Sequence, residues 1–280
     1  MYAVTGANGQ LGRLVIAALK EKGLDGQTIA LVRDLSKATD LGITARHFDY
    51  DEPETLEPAL KGIDKLLLIS GSEIGKRGLQ HKTVIDAAVR AGVQHITYTS
   101  LLHADTSEIT LAPEHRQTEA ALKASGLKYS ILRNAWYTEN YTGNLGAALE
   151  SGTIIGSAGG GQLNTASRAD LAAAAAIVLT SSSHVGQIYE LANDQAYTLS
   201  DVAAELSRQS GKSVVYKDLP KAEYSRILIS MGLPAPVADL LADSDAKAAS
   251  GAFSDESGAL GRLLGRPTQT LEQAVAQALN

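Results

Sequence analysis

From its second residue to about residue 133 the chain repeats one alternation, a short apolar run of strand length followed by a longer stretch with helical spacing. Ala3–Thr5 is the first such run. After it Leu11, Leu14, Val15, Ala18 and Leu19 recur at intervals of three and four, one face of a helix that stops by Gly23. Further strands are predicted at Ile29–Val32, Ile43–Phe48, Lys65–Ile69, His95–Thr99 and Tyr129–Leu132. Helices are predicted over Pro53–Leu60, around Val84, Ile85 and Ala88 up to Gly92, and from Pro113 to Gly126. The strands are apolar enough to be covered on both faces. Strands of that kind, alternating with helices, form a doubly wound parallel sheet, so the fold class is α/β.

The second half is less regular. Ser167 precedes a helix through Leu179, with Asp170 three residues on to complete a capping pattern. A strand is predicted at Val185–Leu191, a helix from Thr198 to Gln209 ending at Gly211, and a short strand at Val214–Tyr216. Residues 221–249 read as mostly helical, punctuated at Gly232, Pro234 and Pro236. The expected division is a nucleotide-binding core over 1–133 and a smaller mixed α/β lobe over 134–280, some of whose segments return to the core.

The first strand runs straight into TGANGQLG, with glycines at 6, 9 and 12. A strand, a glycine-rich turn and a helix N-terminus gather backbone N–H groups at one point, and glycine lets that backbone approach a pyrophosphate. The spacing is G-x-x-G-x-x-G rather than G-x-G-x-x-G, so its place between a strand and an amphipathic helix carries the argument. The expected architecture is therefore Rossmann-like. At the end of the second strand, where an acidic residue would hold a ribose hydroxyl, stands Arg33, with Asp34 after it. A guanidinium at that place suits a 2′-phosphate, which points to NADPH, while Asp34 leaves room for NADH.

Composition narrows the partners. The chain has 280 residues, a net charge of −6 and no cysteine, which disfavours nucleic acid and anionic membranes and excludes thiolate chemistry. No secretory signal precedes the first strand, and the longest apolar run, Leu171–Leu179, is too short to span a bilayer, so a cytoplasmic location is expected. The six histidines show no metal-ligand spacing, and no G-x-S-x-G elbow exists. Nothing in the residues fixes an oligomeric state.

TGANGQLG, LVRD, FDYDE at 48–52 and YTSLLHADTS at 98–107 resemble the NmrA-like branch of the atypical short-chain dehydrogenases. RNAWYTENY at 133–141 and ASRADLAAAAAIVL at 166–179 are similar to its bacterial NADPH-dependent quinone oxidoreductases of type 2, with the triphenylmethane dye reductases as cousins. Asn8 stands where those relatives usually carry threonine. The resemblance implies that Gly6, Ala7, Asn8, Gly9, Gln10 and Leu11 hold the pyrophosphate and Arg33 the 2′-phosphate. It implies that Ser70, Gly71 and Ser72 pass beside the nicotinamide half, that Thr138 and Arg168 contact the cofactor, and that Trp136, Tyr137, Asn140 and Tyr141 meet the acceptor. For the aromatic residues, plain packing is the competing reading.

The superfamily's Tyr-x-x-x-Lys acid is missing, since none of the ten tyrosines is followed four positions on by lysine. In the helix after the fifth strand stand His115 and Glu119 instead. A carbonyl reduced to an alkoxide needs a placed acid, whereas a quinone gives an anion stabilised by its own ring. Direct hydride transfer from NADPH to a quinone or dye is therefore expected, with an NADP(H)-sensing regulator without turnover as the alternative. His115 is open between a proton donor and a helix-surface residue, and Glu73, Lys76 and Arg77 are expected in a solvated loop.

Overall fold

The computed structural model describes residues 1–280. The first half runs β1 (Tyr2–Thr5), α1 (Gln10–Glu21), β2 (Thr28–Val32), β3 (Thr44–His47), α2 (Pro53–Ala59), β4 (Lys65–Leu68), α3 (Arg77–Ala91), β5 (His95–Leu101), α4 (Ala112–Ala124) and β6 (Lys128–Asn134). The second half adds α5 (Glu139–Thr142), α6 (Leu145–Ser151), β7 (Thr153–Gly156), α7 (Arg168–Thr180), β8 (Ile188–Leu191) and α8 (Leu199–Ser210). It closes with β9 (Val215–Asp218), α9 (Lys221–Ser230), α10 (Ala235–Ala248), α11 (Ala259–Leu264) and α12 (Leu271–Leu279).

Seven strands form one parallel sheet in the order β3-β2-β1-β4-β5-β6-β8. Strand order reverses between β1 and β4, and in such sheets the crevice beyond the strand ends at that point receives ligands. The period of two along each strand feeds two cores. Ala3, Leu66 and Leu68 pack on one face with Phe48, Val84 and Ile96, while Val4 and Leu67 pack on the other with α1 and α7. Every residue of β2 and β5 is buried, as befits central strands covered on both faces, and in β5 that includes the polar His95, Thr97, Thr99 and Ser100.

Two local readings are corrected, on α1 and at the head of α7, and one unpredicted segment is seen between β2 and β3. On α1 the buried stripe is Leu11, Val15, Ile16 and Leu19, whereas Leu14 is 38% exposed; the helix turns its i, i+4, i+8 line toward the sheet, which puts position 14 outside the contact. Between β2 and β3 the chain makes 3₁₀ turns over Leu35–Leu41, opened by the Asp34 carboxylate accepting from the Ser36 N–H. Ser167 caps α7, but Asp170 does not complete the box, because its carboxylate accepts from Arg266 Nη2 and the Gln269 N–H, both at 2.7 Å.

The second half does two things. The alanine-rich α7 lies against α1, and β8 pairs in parallel with β6 as the seventh strand. The rest builds a third core around Leu145, Leu163, Leu206, Phe253 and Val275, covered by a separate two-stranded parallel sheet of β7 and β9. TIIG at 153–156 is too short to have marked β7 by its pattern. No helix is long and apolar enough to cross a membrane.

Candidate active site

A cleft of about 360 Å³ opens beyond the carboxyl ends of β1 and β4, with its walls drawn from both sides of the reversal point. Its floor is the glycine loop. Gly6 sits at φ +56°, and the Gly9 N–H donates to the Gly6 carbonyl at 2.9 Å, which folds the loop back on itself. Gly12 has no room for a side chain: a Cβ there would lie 2.3 Å from the Gly6 oxygen and 2.7 Å from Ala7 Cα. The absence of that carbon brings α1 down onto the loop. No side chain caps Gly9 at the head of α1, and no acidic residue occupies the first turn, so the first N–H groups have no partner within the helix. The result is a site for an anion.

Arg33 stands on one wall with its side chain 67% exposed and Nη1 3.4 Å from Glu73 Oε1. Ser70, Gly71 and Ser72, after β4, line the same cleft. At the inner end the Arg168 guanidinium lies over the Tyr137 ring, 4.1 Å from its centre, while its Nη1 donates to Glu139 and its Nη2 to the Asn140 side-chain oxygen. Burial and the stacked cation pull the Tyr137 phenol in opposite directions, and burial prevails, raising it.

The structure brings Gly6, Asn8, Gly9, Gln10, Leu11, Arg33, Ser70, Gly71, Ser72, Tyr137 and Arg168 to this one cleft. Ala7 is buried beneath the loop, and Thr138 is buried with its hydroxyl bonded to that of Thr165. The four residues expected around the acceptor are separated. Trp136 stacks on Phe253 at 5.3 Å, and the Tyr141 hydroxyl donates to Asp245 at 2.9 Å, both within the third core, while Asn140 is exposed and occupied by Arg168. Tyr137 bridges to Ala166 in strand fashion, so this backbone is extended and neighbours 136 and 137 face opposite ways.

Gly12, the third glycine of the motif, also lines the cleft, and sequence reasoning missed Leu31, Ile69, Glu73 and Gln80 in the lining, together with Phe48, Asp49 and Tyr50 just after β3. FDYDE had signalled a resemblance without a role. The Tyr50 hydroxyl lies 2.7 Å from Thr5 Oγ1 and 3.1 Å from the Ile69 carbonyl oxygen, with one proton to donate between them, and so ties β1, β4 and the segment after β3 together at the cleft floor.

Residues 6–182 match the family described as NAD(P)H-binding. The chain belongs to the NAD(P)H-binding family. This family member is 51% identical to quinone oxidoreductase 2 of Escherichia coli strain K12, over 100% of this chain and 99% of that one. The crystal structure of the E. coli NADPH-dependent quinone oxidoreductase complexed with NADPH superposes with a TM-score of 0.97 at 51% identity, covering 100% of both chains. The structure of Citrobacter sp. triphenylmethane reductase complexed with NADP(H) gives a TM-score of 0.95 at 41% identity, covering 99% of this chain and 100% of that one.

Two residues of this NAD(P)H-binding protein sit where neither sequence reading put them. Arg77, expected in solvent, is buried and paired with Glu114 at 3.0 Å. His115 is neither on the helix surface nor in the cleft lining. It is buried with Nδ1 sharing a 2.7 Å hydrogen bond with the Tyr98 hydroxyl, and burial, aided by the Arg77 cation, pushes it from 6.5 down to about 3. The unfolded chain therefore takes up this proton first. The contribution of His115 is complete above pH 6.5 and is lost as pH falls toward 3. In His115→Gln, urea unfolding followed between pH 6 and 4 should lose stability less steeply, by up to about 1.4 kcal/mol per pH unit. A slope equal to that of the wild type would contradict a neutral, buried His115.

Proposed function

We propose that this chain is an NADPH-dependent oxidoreductase that delivers a hydride to quinones or similar conjugated acceptors such as triphenylmethane dyes. The full-length likeness to the E. coli quinone oxidoreductase, 51% identical with a TM-score of 0.97, carries that reading. The cleft residues fit the cofactor. The loop at Gly6 to Leu11 and the uncapped start of α1 offer N–H groups to a pyrophosphate, in a cradle that a Cβ at Gly12 would fill. Arg33 offers its guanidinium to the 2′-phosphate, and Ser70, Gly71, Ser72 and Arg168 border the nicotinamide half. When bound, NADPH supplies the hydride.

The chain's own residues position the reactants and shape the charge around them. Tyr137 and Arg168 present a flat face with a cation where negative charge develops on the acceptor. Trp136 and Tyr141 brace that face from the lobe behind it, and Asn140 holds Arg168. His115 and Glu119, standing where an acid pair would be, are both committed to buried partners, Tyr98 and Arg133. Solvent is thus the proton source, which suits an acceptor whose anion is stabilised by its own ring. The acceptor meets Tyr137 from the side of the lobe over 134–280. A cytoplasmic setting is proposed with this activity, on the acidic, cysteine-free composition.

Purified protein should consume NADPH when a simple benzoquinone is added, faster than NADH and faster than the reaction without enzyme. Tight NADPH binding with no turnover for any quinone or dye would replace this reading by that of a sensor. Arg33→Ala should lower the preference for NADPH over NADH by about 10–150-fold, the worth of a charge-assisted bond of about 1.5–3 kcal/mol. Its melting temperature should stay put, because the exposed pair with Glu73 contributes little. An unchanged cofactor preference would remove Arg33 from the phosphate site.

A further inference from the structure

We propose that His81 is a positioning residue for the cofactor cleft: it holds the N–H of Gly71 while Arg77 holds the carbonyl of the same residue, so that the Ser70–Ser72 wall is gripped from beneath. The proposal rests on the reading of this cleft as the NADPH site.

The wall has no regular structure of its own between β4 and α3. Its backbone groups nevertheless have assigned partners. The Ser70 N–H donates to Thr99 Oγ1 on β5 at 2.9 Å. The Gly71 N–H donates to His81 Nε2 at 2.9 Å, and the Gly71 carbonyl accepts from Arg77 Nε at 2.7 Å. Both gripping side chains are buried.

The donor pattern fixes the ring. Thr118 Oγ1 donates its proton to the Glu114 carbonyl at 2.9 Å, so it can only accept from His81 Nδ1, 3.0 Å away. Nδ1 therefore carries the hydrogen and Nε2 keeps its lone pair for Gly71. Burial, with the Arg77 cation adding to it, pushes the ring down to about 3, which keeps that lone pair free at neutral pH. Arg77 is oriented in the same way, since its Nη1 donates to Glu114 Oε2 at 3.0 Å. Glu114 Oε1 also accepts from the N–H groups of Gly75 and Arg77, supplying from α4 the cap that α3 lacks.

The wall is thus registered to β5, α3 and α4 through side chains that do not themselves need to touch the nucleotide. Backbone placement of this kind governs how well a cleft is organised before its ligand arrives.

The test compares two substitutions of similar size in the full chain. His81→Asn keeps a donor toward Thr118 but leaves the Gly71 N–H without an acceptor. His81→Gln reaches further and restores an acceptor near the Nε2 position. NADPH affinity is measured by fluorescence titration, alongside kcat and KM with a benzoquinone.

His81→Asn should weaken NADPH binding about tenfold and raise its KM to match, with kcat at saturating NADPH within about twofold of wild type. His81→Gln should stay within about threefold of wild type in affinity. Equal NADPH affinity in His81→Asn and wild type would overturn the role of His81 and leave the cleft reading intact. Equal losses in both variants, tracking equal losses of thermal stability, would also overturn it. A wild-type protein that binds no NADPH would overturn both. Should His81→Asn not fold, the isosteric Thr118→Val removes the acceptor that fixes the ring. It should weaken NADPH in the same direction, and unchanged affinity there would overturn the proposal.

Discussion

Arg133→Ala is expected to lower the unfolding free energy by about 3–5 kcal/mol, the usual result of removing one partner from a buried ion pair. Arg133 lies on β6 between Ser100 of β5 and Glu190 of β8 in one cross-strand row. Its Nε and Nη2 donate to the two oxygens of Glu119 at 3.0 and 2.9 Å, and its Nη1 donates to Glu190 at 2.8 Å. Asp105 closes on the same nitrogen at 3.0 Å, and Ser100 Oγ donates to Glu119 at 2.7 Å. The side chains of Arg133 and Glu119 are 7% and 4% exposed, so water cannot replace the lost guanidinium. A drop in melting temperature on the order of 10 °C should accompany the loss. Because Arg133 does not line the cleft, NADPH affinity of the folded fraction should hold. Pairing the change with Glu119→Leu should recover much of the stability, since the stranded carboxylate is then gone. A loss below about 1 kcal/mol in Arg133→Ala would mean that the network is solvated in solution.

Gly12→Ala is expected to weaken NADPH binding by about a hundredfold or more. The added carbon would sit 2.3 Å from the Gly6 oxygen, 2.7 Å from Ala7 Cα and 2.9 Å from the Gly6 carbonyl carbon, all main-chain atoms that cannot rotate away. Either the loop lifts or α1 retreats, and a displacement of about 1 Å at a positioning element can cost about a hundredfold. Gly9→Ala is the internal control. Its Cβ would meet the Gly6 oxygen at 3.2 Å, a tight contact that a few tenths of an ångström relieve, so its affinity should fall only several-fold. Titration of both variants with NADPH checks the pair. If Gly12→Ala binds within about threefold of wild type, the loop is not the rigid cradle inferred for it.

The parallel sheet was legible because short strand-like segments alternate with helical spacing along the first half, two of them, IALV and the LLLI of KLLLI, being unbroken apolar runs. The glycine loop and Arg33 were legible because a strand end is a fixed place in such a sheet. Arg77 was not. Whether a charged side chain is buried depends on its partner, and Glu114 comes 37 residues later on another helix. His115 failed in the same manner, since Tyr98 was visible as a strand residue but not as a hydrogen-bond partner. The aromatic residues at 136, 137 and 141 were legible as a cluster but not in their separate directions. An extended backbone sends Trp136 and Tyr137 to opposite sides, so Tyr137 lines the cleft while Trp136 stacks on Phe253. Glu73 and Gln80 carried no signal at all, because only the folding of the β4–α3 connection brings them to the cleft.

The return of α7 and β8 to the main sheet bears on how the chain comes to be folded as it is made. Until residues 168–191 have left the ribosome, β6 has a bare edge and the side of α1 that packs on α7 is uncovered. Emergence of the glycine loop therefore precedes, by more than half the length of the chain, the segments that close the core beneath it. Contacts across such separations form slowly, and an open parallel edge is prone to mispairing in the interval. A fragment ending near residue 133 should aggregate rather than fold, however complete its glycine loop.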